Sequence, residues 1–459
     1  MKIHFIGICG VGMSGLAIAM HQNGWQVSGS DKGFYPPVST HLNEAGVSYY
    51  PGWHPDKMID GGIPDLIVVG NVAGSENPEW IYAQTNKIEC VSYPELIARH
   101  FIKQNSIVVA GTFGKTTSTA LLAWVFKSNN INLSYMFGGV ANFAAAALVD
   151  SNWSIIEGDE YKTGRGDSRP KFTHYSPTHL LLTAAIWDHA DVYPTEELYG
   201  AAFVKLITSI PASGKIVINK KNTEIINDQL PMVKCQIITY GDSLDDDYRY
   251  HSIIQTKNGL TFKISHAGEE YDIATQMIGE FCASNITGVF AMAELAQIPP
   301  VQIISALKTF PGLKRRLEKR FSDQIDIYDD IAHSPTKAKA VLESLKKIYD
   351  GKIIAVFEPN TGNRERNSVP GYDNAFTAAD ILFIPQLTKV KINPNDSETP
   401  IDGEELCQTI SKTHANARYI PDDDELINYI METVKPGDAI IFLGSHGFRG
   451  MIENLIEKI

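Results

Sequence analysis

Several things are scarce in this sequence, and each scarcity closes off a class of protein. The five cysteines, Cys9, Cys90, Cys235, Cys282 and Cys407, are odd in number, scattered, and nowhere spaced as a C-x-x-C pair. That argues against a disulfide framework or a thiolate zinc site and fits a reducing compartment, so a cytoplasmic location is expected. Positive charge is also short: 40 Lys and Arg stand against 53 Asp and Glu, a formal net charge of −13. Nucleic acid and anionic membrane both demand a basic surface, so neither is an expected partner, although a local cationic pocket for phosphates remains open. No apolar stretch is long and unbroken enough to span a bilayer. The most apolar run, MKIHFIGICGVGMSGLAIAM, is interrupted by four glycines and reads as a nucleotide loop rather than a secretory leader. Short repeats and low-complexity segments are missing too.

What remains is an ordinary globular composition, 44% hydrophobic and 20% charged over 459 residues. At about 100–200 residues per domain that length suggests two to four domains. Strand-like and helix-like runs alternate from the start: KIHFIGI (2–8), LAIAMHQNG, WQVSGSD (25–31), then DLIVVG (65–70). Such alternation predicts a parallel, doubly wound α/β sheet. SIVVAG (106–111) begins the pattern again, with WSIIEGD (153–159) and HLLLTAA (179–185) as further buried strands. Residues 236–278 read differently: CQIITYG, YHSIIQT and LTFKIS around the turn KNGL (257–260) suggest antiparallel hairpins. Helices are expected near 283–297 and 301–309. A third alternating block contains IDIYDD (325–330), KIIAVFE (352–358), ADILFIP (379–385) and DAIIFLG (438–444). The expectation is three α/β domains, at 1–104, 105–312 and 313–459: a Rossmann-like domain, a central P-loop type domain and a second Rossmann-like domain.

Three segments carry chemistry. GICGVGMSG, with Gly7, Gly10, Gly12 and Gly15, follows a strand and opens a helix. Its glycines allow a tight turn and close approach to a pyrophosphate, which the helix N-terminus attracts. Asp31 ends the next strand, where a ribose-binding acid would sit. The bland reading is a tight turn without a ligand, and the motif does not separate NAD from another diphosphonucleotide.

AGTFGKTT (110–117) lies between an apolar strand and helix. Loop amides there would cradle phosphates, Lys115 would reach the β- and γ-phosphates, and the Thr116 hydroxyl would coordinate Mg²⁺. Val109 stands where a full Walker A sequence has its first glycine, so the turn is shorter. Finally, IIEGDEY places Glu157, Asp159 and Glu160 at a strand end, and WDHADVYPT (187–195) places Asp188 and His189 after another. Carboxylates beside a phosphate loop are positioned for Mg²⁺. His189, a nitrogen donor, is a less natural magnesium ligand, and Asp159 and Glu160 are equally well read as solvated. A chain with two nucleotide loops suits neither a dehydrogenase nor a simple kinase. It suits an ATP-dependent ligase acting on a nucleotide-linked substrate.

These motifs resemble the Mur ligases of bacterial cell-wall synthesis over nearly the whole chain. GICGVGMSG is similar to their UDP-binding loop, GTFGKTT to GTHGKTT, FPGLKRRLE (310–318) to the segment before the C-terminal domain, and YDDIAHSPT (328–336) to DD-x-AHHPT. Among family members the likeness is greatest to those using UDP-N-acetylmuramate, with either L-alanine or the tripeptide L-alanyl-γ-D-glutamyl-meso-diaminopimelate as acceptor. GDEYKTGRGDSRPKFTHYSP (158–177) and GSHGFRGM (444–451) favour the tripeptide.

The resemblance implies that Gly10, Val11, Gly12, Met13, Ser14 and Asp31 hold the UDP substrate. It implies ATP contacts from Gly111, Thr112, Gly114, Lys115, Thr116, Thr117, Asn285, Arg315, Arg316 and Asp330. Lys115, Glu157, His189 and His333 become the catalytic candidates, and Thr116, Glu157 and His189 the Mg²⁺ ligands. Asp329 would join Asp330 and His333 in closing the site from the third domain. Some expected residues differ: Phe113 and Ser334 replace histidines, Phe281 and Cys282 replace His and Asn, and Asn360 and Thr361 stand where His-Arg is usual in alanine ligases. These changes motivate a competing reading, a nucleotide-binding homologue that no longer ligates. A third reading, an NAD-dependent oxidoreductase, leaves GTFGKTT unexplained.

Overall fold

The structure, a computed structural model, describes residues 1–34, 38–164, 166–189, 192–388 and 400–459. Arg165, Ala190 and Asp191, which fall in motifs singled out above, lie outside the described residues.

The first alternating block folds as expected. β1 (Lys2–Ile6), β2 (Gln26–Asp31), β3 (Ser48–Pro51), β4 (Leu66–Val69) and β5 (Cys90–Ser92) form a sheet in the order β3-β2-β1-β4-β5. Every neighbouring pair is parallel. The winding direction reverses between β1 and β4, which leaves a crevice beyond their carboxyl ends. Gly7 and Gly70 sit at that crevice, directly after β1 and β4.

The second sheet uses β6 (Asn105–Ala110), β7 (Leu133–Met136), β8 (Ala146–Ala147) and β9 (Trp153–Gly158). A separate two-stranded ribbon follows, β10 (Lys162–Gly164) with β11 (Asp167–Pro170). The sheet continues through β12 (His179–Leu182), β13 (Lys215–Ile218), β14 (Gln236–Gly241), β15 (Tyr248–Thr256), β16 (Gly259–His266) and β17 (Glu269–Thr275). Its order is β17-β16-β15-β14-β13-β12-β6-β9-β7-β8. Ile107 to Ala110 of β6 are wholly buried, as an apolar strand covered on both faces must be.

One expectation needs correcting. CQIITYG is not hairpin material: β14 runs parallel to both β13 and β15. The reason lies in the acidic turn after it, where Asp247 Oδ2 accepts hydrogen bonds from the Thr239 amide (2.7 Å) and hydroxyl (3.1 Å). That turn folds the chain back, so β15 resumes in the direction of β14.

The third sheet contains β18 (Glu318–Ser322), β19 (Asp326–Asp330), β20 (Ile353–Glu358), β21 (Ile381–Ile384), β22 (Ala417–Tyr419) and β23 (Ala439–Gly444), in the order β18-β19-β23-β20-β21-β22. Only β18 is antiparallel. Its sequence, EKRFS, has no apolar run and gave no strand signal.

The chain forms two compact units. One comprises residues 1–253, 261–275 and 283–311; the other comprises 254–260, 276–282 and 312–459. In the first, a continuous apolar core runs from Ile3, Phe5 and Leu16 under the first sheet to Ile156, Leu180 and Phe203 around the second. In the second, alternate residues of β20 serve opposite faces: Ala355 and Phe357 join one core cluster, Ile354 and Val356 the other. Local capping fixes one element near the crevice. Ser92 and Glu95 form a reciprocal capping box at the helix Tyr93–His100, a device worth about 1 kcal/mol. Among the described residues no helix is long and apolar enough to cross a membrane.

Candidate active site

The glycine loop of β1 packs as its sequence demands. Gly7 has φ +91°, and a Cβ there would lie 2.5 Å from Val72 Cγ1. A Cβ on Gly12 would lie 2.7 Å from the Tyr93 hydroxyl. The helix Val11–Gln22 begins at this loop and has no side-chain cap, so its first amides are available to an anion. Asp31 is buried and accepts the Cys9 amide at 2.9 Å and the Lys32 amide at 2.7 Å. Its carboxylate therefore braces the loop backbone, a role the sequence reading did not foresee.

The second loop is held still more tightly. Gly111 (φ +140°) and Gly114 (φ +81°) flank it, and a Cβ on either would sit 2.3 Å from Thr183 Oγ1 or 2.5 Å from Asn285 Oδ1. Thr183 donates to the Phe113 carbonyl at 2.5 Å. The Thr112 amide donates to the Ala184 carbonyl at 3.1 Å, and the Thr112 hydroxyl accepts from the Ile186 amide at 2.9 Å. The strand end after β12 thus clamps the phosphate-type loop, and Asn285 approaches from the helix Phe281–Leu295.

From this loop the helix Lys115–Ser128 starts. Thr116 Oγ1 donates to Glu157 Oε1 at 2.8 Å, and the Gly138 amide donates to Glu157 Oε2 at 2.6 Å. Burial pushes the Glu157 carboxyl above its ordinary value, against the lowering effect of the Gly138 amide and Lys115. A half-buried carboxylate at a cavity wall, with a hydroxyl oxygen 2.8 Å away, is a donor set that fits Mg²⁺. That ion takes one or two carboxylates and completes its shell with water and phosphate oxygens. Among the described residues no group of three or more His, Cys, Asp or Glu makes a ready-built metal cage.

Lys115 Nζ meets both oxygens of Glu160, at 2.8 and 2.6 Å. Burial alone would lower the Lys115 ammonium; the charges of Glu160 and Asp159 outweigh it and hold its pKa above the usual lysine value. His189 Nε2 lies 3.3 Å from Glu160 Oε1. Burial would lower His189 too, but its hydrogen bond to Glu160 and the charge of Asp188 raise it. Glu160 is fully buried, so its reading as a solvated side chain is corrected. Its neighbour Asp159 pairs with Lys171 at 2.5 Å.

A cavity of about 600 Å³ opens between the glycine loop and the end of β9, lined by Gly10, Gly12, Asp31, Tyr93, Glu157 and Lys171 among others. Val11, Met13 and Gly138 also line it. Ser14 faces inward on the helix, its hydroxyl donating to the Val11 carbonyl at 3.0 Å. Lys171, Gly138 and Thr183 were missed in the sequence. Thr183 and Gly138 act through neighbours distant along the chain, while the lysine of KFTHY is visible only as part of a motif.

The remaining candidates belong to the second compact unit. Arg315, at φ +57°, donates to the carbonyls of Gly444 (2.5 Å), Ser445 (3.1 Å) and His446 (2.7 Å), and to Asp329 at 3.3 Å. Asp330 is buried and accepts the Leu317 and Ala332 amides at 2.6 and 2.7 Å. Both residues therefore shape backbone at the sheet's carboxyl edge. Arg316 is exposed. His333 Nδ1 lies 2.7 Å from the Ile331 carbonyl. Since a carbonyl only accepts, Nδ1 carries the proton, so in the neutral ring the lone pair would be on Nε2.

The chain that carries these two loops matches known family models in succession. The Mur ligase family catalytic domain matches residues 2–104, the Mur ligase middle domain 109–293, and the Mur ligase glutamate ligase domain 315–446. The chain belongs to the Mur ligase family. It is an ATP-dependent ligase that forms an amide bond, with the three-domain α/β architecture of that family. A Haemophilus influenzae UDP-N-acetylmuramate–L-alanyl-γ-D-glutamyl-meso-2,6-diaminoheptandioate ligase is 31% identical, covering 100% of this chain and 99% of its own. A Geotalea uraniireducens UDP-N-acetylmuramate–L-alanine ligase is 30% identical over 100% and 98%. Among solved structures, a murein peptide ligase from Psychrobacter arcticus superposes with TM-score 0.72 at 26% identity, covering 100% of this chain and 98% of that one. The Thermotoga maritima UDP-N-acetylmuramate–alanine ligase superposes with TM-score 0.80 at 23% identity over 100% and 99%, a likeness of fold.

Proposed function

We propose that this chain joins the carboxylate of UDP-N-acetylmuramate to the amine of L-alanyl-γ-D-glutamyl-meso-diaminopimelate, in peptidoglycan recycling in the cytoplasm. The observation that carries this reading is the cavity running from the glycine loop to Glu157, whose other oxygen contacts join it to Thr116 of the phosphate loop. A UDP group on the glycine loop would direct a sugar-borne carboxylate toward the ATP side. Full-length similarity to the tripeptide ligase supports the acceptor.

In this reading the donor carboxylate attacks the γ-phosphorus of ATP, ADP leaves, and an acyl phosphate forms. The acceptor amine then attacks the acyl carbon and inorganic phosphate departs. Two anions must meet in the first step, so fixed cations and N–H donors dominate the catalysis. Lys115 and the amides of Gly111–Thr117 neutralise and orient the triphosphate. Thr116 and Glu157, with His189 as the less natural nitrogen donor, would hold Mg²⁺, which supplies further positive charge at the phosphates. Asn285, beside Gly114, would contact the nucleotide, with Arg315, Arg316 and Asp330 contributing from the C-terminal domain. His333, with its lone pair on Nε2, would accept a proton from the acceptor amine, which must be neutral to attack. Domain boundaries near residues 104 and 312 belong to the same proposal.

A second reading has L-alanine as acceptor, favoured by the comparable similarity to the alanine ligase. Phosphate release from ATP, Mg²⁺ and UDP-N-acetylmuramate, with tripeptide in one tube and L-alanine in another, separates the two. Release with tripeptide alone is the expected result. Release with alanine alone moves the protein to the second reading, and silence in both, from folded protein, overturns ligase activity on this donor.

A further inference from the structure

The cavity between the glycine loop and Glu157 has an unbalanced lining. Three carboxylates face it, Asp31, Glu157 and Asp159, against a single cation among the described lining residues, Lys171. A donor entering here is itself an anion at two places, its diphosphate and its carboxylate. The diphosphate has a natural seat on the glycine loop and the uncapped helix at Val11. The carboxylate, at the other end, would face Glu157 and Asp159. Without a nearby cation that approach is repulsive.

Lys171 stands at that end. Its Nζ lies 2.5 Å from Asp159 Oδ2 and 5.7 Å from the centre of the Tyr161 ring. It is held there by the backbone of the strand-to-helix corner: Lys171 donates its amide to the Tyr161 carbonyl at 3.1 Å, and Phe172 donates to the Asp159 carbonyl at 3.2 Å. Phe172 is fully buried, which anchors the corner. The lysine side chain is mostly buried, so its charge is weakly screened. The pair thus places an ammonium, directed by one carboxylate, in the wall of a cavity with room for another.

We propose that Lys171 is the donor-carboxylate recognition residue: it binds the sugar-borne carboxylate and discriminates the donor from the same UDP-sugar without it. This rests on the functional reading above. The test is calorimetric binding of two ligands, UDP-N-acetylmuramate and UDP-N-acetylglucosamine, which differ by the carboxylate-bearing ether. Lys171→Met should weaken UDP-N-acetylmuramate at least tenfold and leave UDP-N-acetylglucosamine unchanged; Lys171→Arg should recover most of the loss. Unchanged binding of the second ligand also reports that the variant is folded. Equal weakening of both ligands, or no weakening of either, overturns the proposal. Failure of the unaltered protein to bind UDP-N-acetylmuramate at all would instead overturn the functional reading on which it rests.

Discussion

Lys115 and Glu160 form a two-pronged ion pair, with the lysine Nζ 2.8 and 2.6 Å from the carboxylate oxygens. Glu160 has no exposure and the Lys115 side chain 13%. Removing one member of so enclosed a pair leaves the other uncompensated, at a cost of roughly 3 kcal/mol. Glu160→Ala should therefore lower thermal stability by that order. A non-hydrolysable ATP analogue should restore more stability to the variant than it adds to the unaltered protein, because phosphates would supply the missing negative charge. Equal thermal shifts in both proteins would separate Lys115 from the nucleotide.

Glu157 accepts from Thr116 and Gly138, and an amide oxygen can accept one of those bonds. Glu157→Gln should consequently fold. Its ATP turnover should fall by about 100-fold or more, in keeping with the loss of a charge that organises phosphoryl transfer. The Mg²⁺ concentration for half-maximal rate should rise. A magnesium titration indistinguishable from that of the unaltered enzyme would remove Glu157 from the metal set.

Another buried carboxylate, Glu79, ties together elements of the first sheet. Glu79 accepts from Ser30 (2.5 Å), Tyr50 (2.6 Å) and the His54 amide (2.7 Å). Burial would raise its carboxyl, but the bonds from His4, Ser30, Tyr50 and His54 prevail and lower it. A depressed folded-state value means that the stabilisation is complete above the unfolded value, near 4.5, and is lost as pH falls through the folded value. Urea unfolding below pH 4.5 should show this loss, and Glu79→Gln should flatten it. A variant whose acid limb matches the original would count against the linkage.

Gly111 combines φ +140° with a position where a Cβ meets Thr183 Oγ1 at 2.3 Å and the Ala184 amide nitrogen at 2.7 Å. Gly111→Ala should shift the phosphate loop, cost roughly 1–3 kcal/mol in strain, and abolish detectable binding of an ATP analogue. Retained nucleotide affinity would mean that the loop tolerates a different backbone.

Most strands could be read from the chain because they are short apolar runs ended by glycine, as in IVVAG and IIFLG. β18 escaped because an antiparallel edge strand needs no apolar face, and β14 misled because its partner is decided by the turn beyond it. Site residues fell into the same two groups. The candidates Lys115, Thr116 and Glu157 stand out through local motifs, and the structure places Thr116 against Glu157. Glu160, Lys171 and Thr183 depend on which strand ends become neighbours, and a carboxylate's burial is a property of the packed sheet rather than of DEY. Arg315 and Asp330 show the converse: their motif is conspicuous, yet each is engaged with backbone groups of its own unit.

The close fit of Gly12 against Tyr93, whose hydroxyl lies 2.9 Å from Met136 Sδ, has a thermodynamic reading. The glycine belongs to the first sheet's loop and the methionine to β7 of the second, and one apolar core continues beneath both. Melting should therefore not follow the count of nucleotide folds. Residues on either side of position 104 should exchange their amide hydrogens with a shared opening energy, as one cooperative foldon, so damage at the glycine loop would be felt across the second sheet.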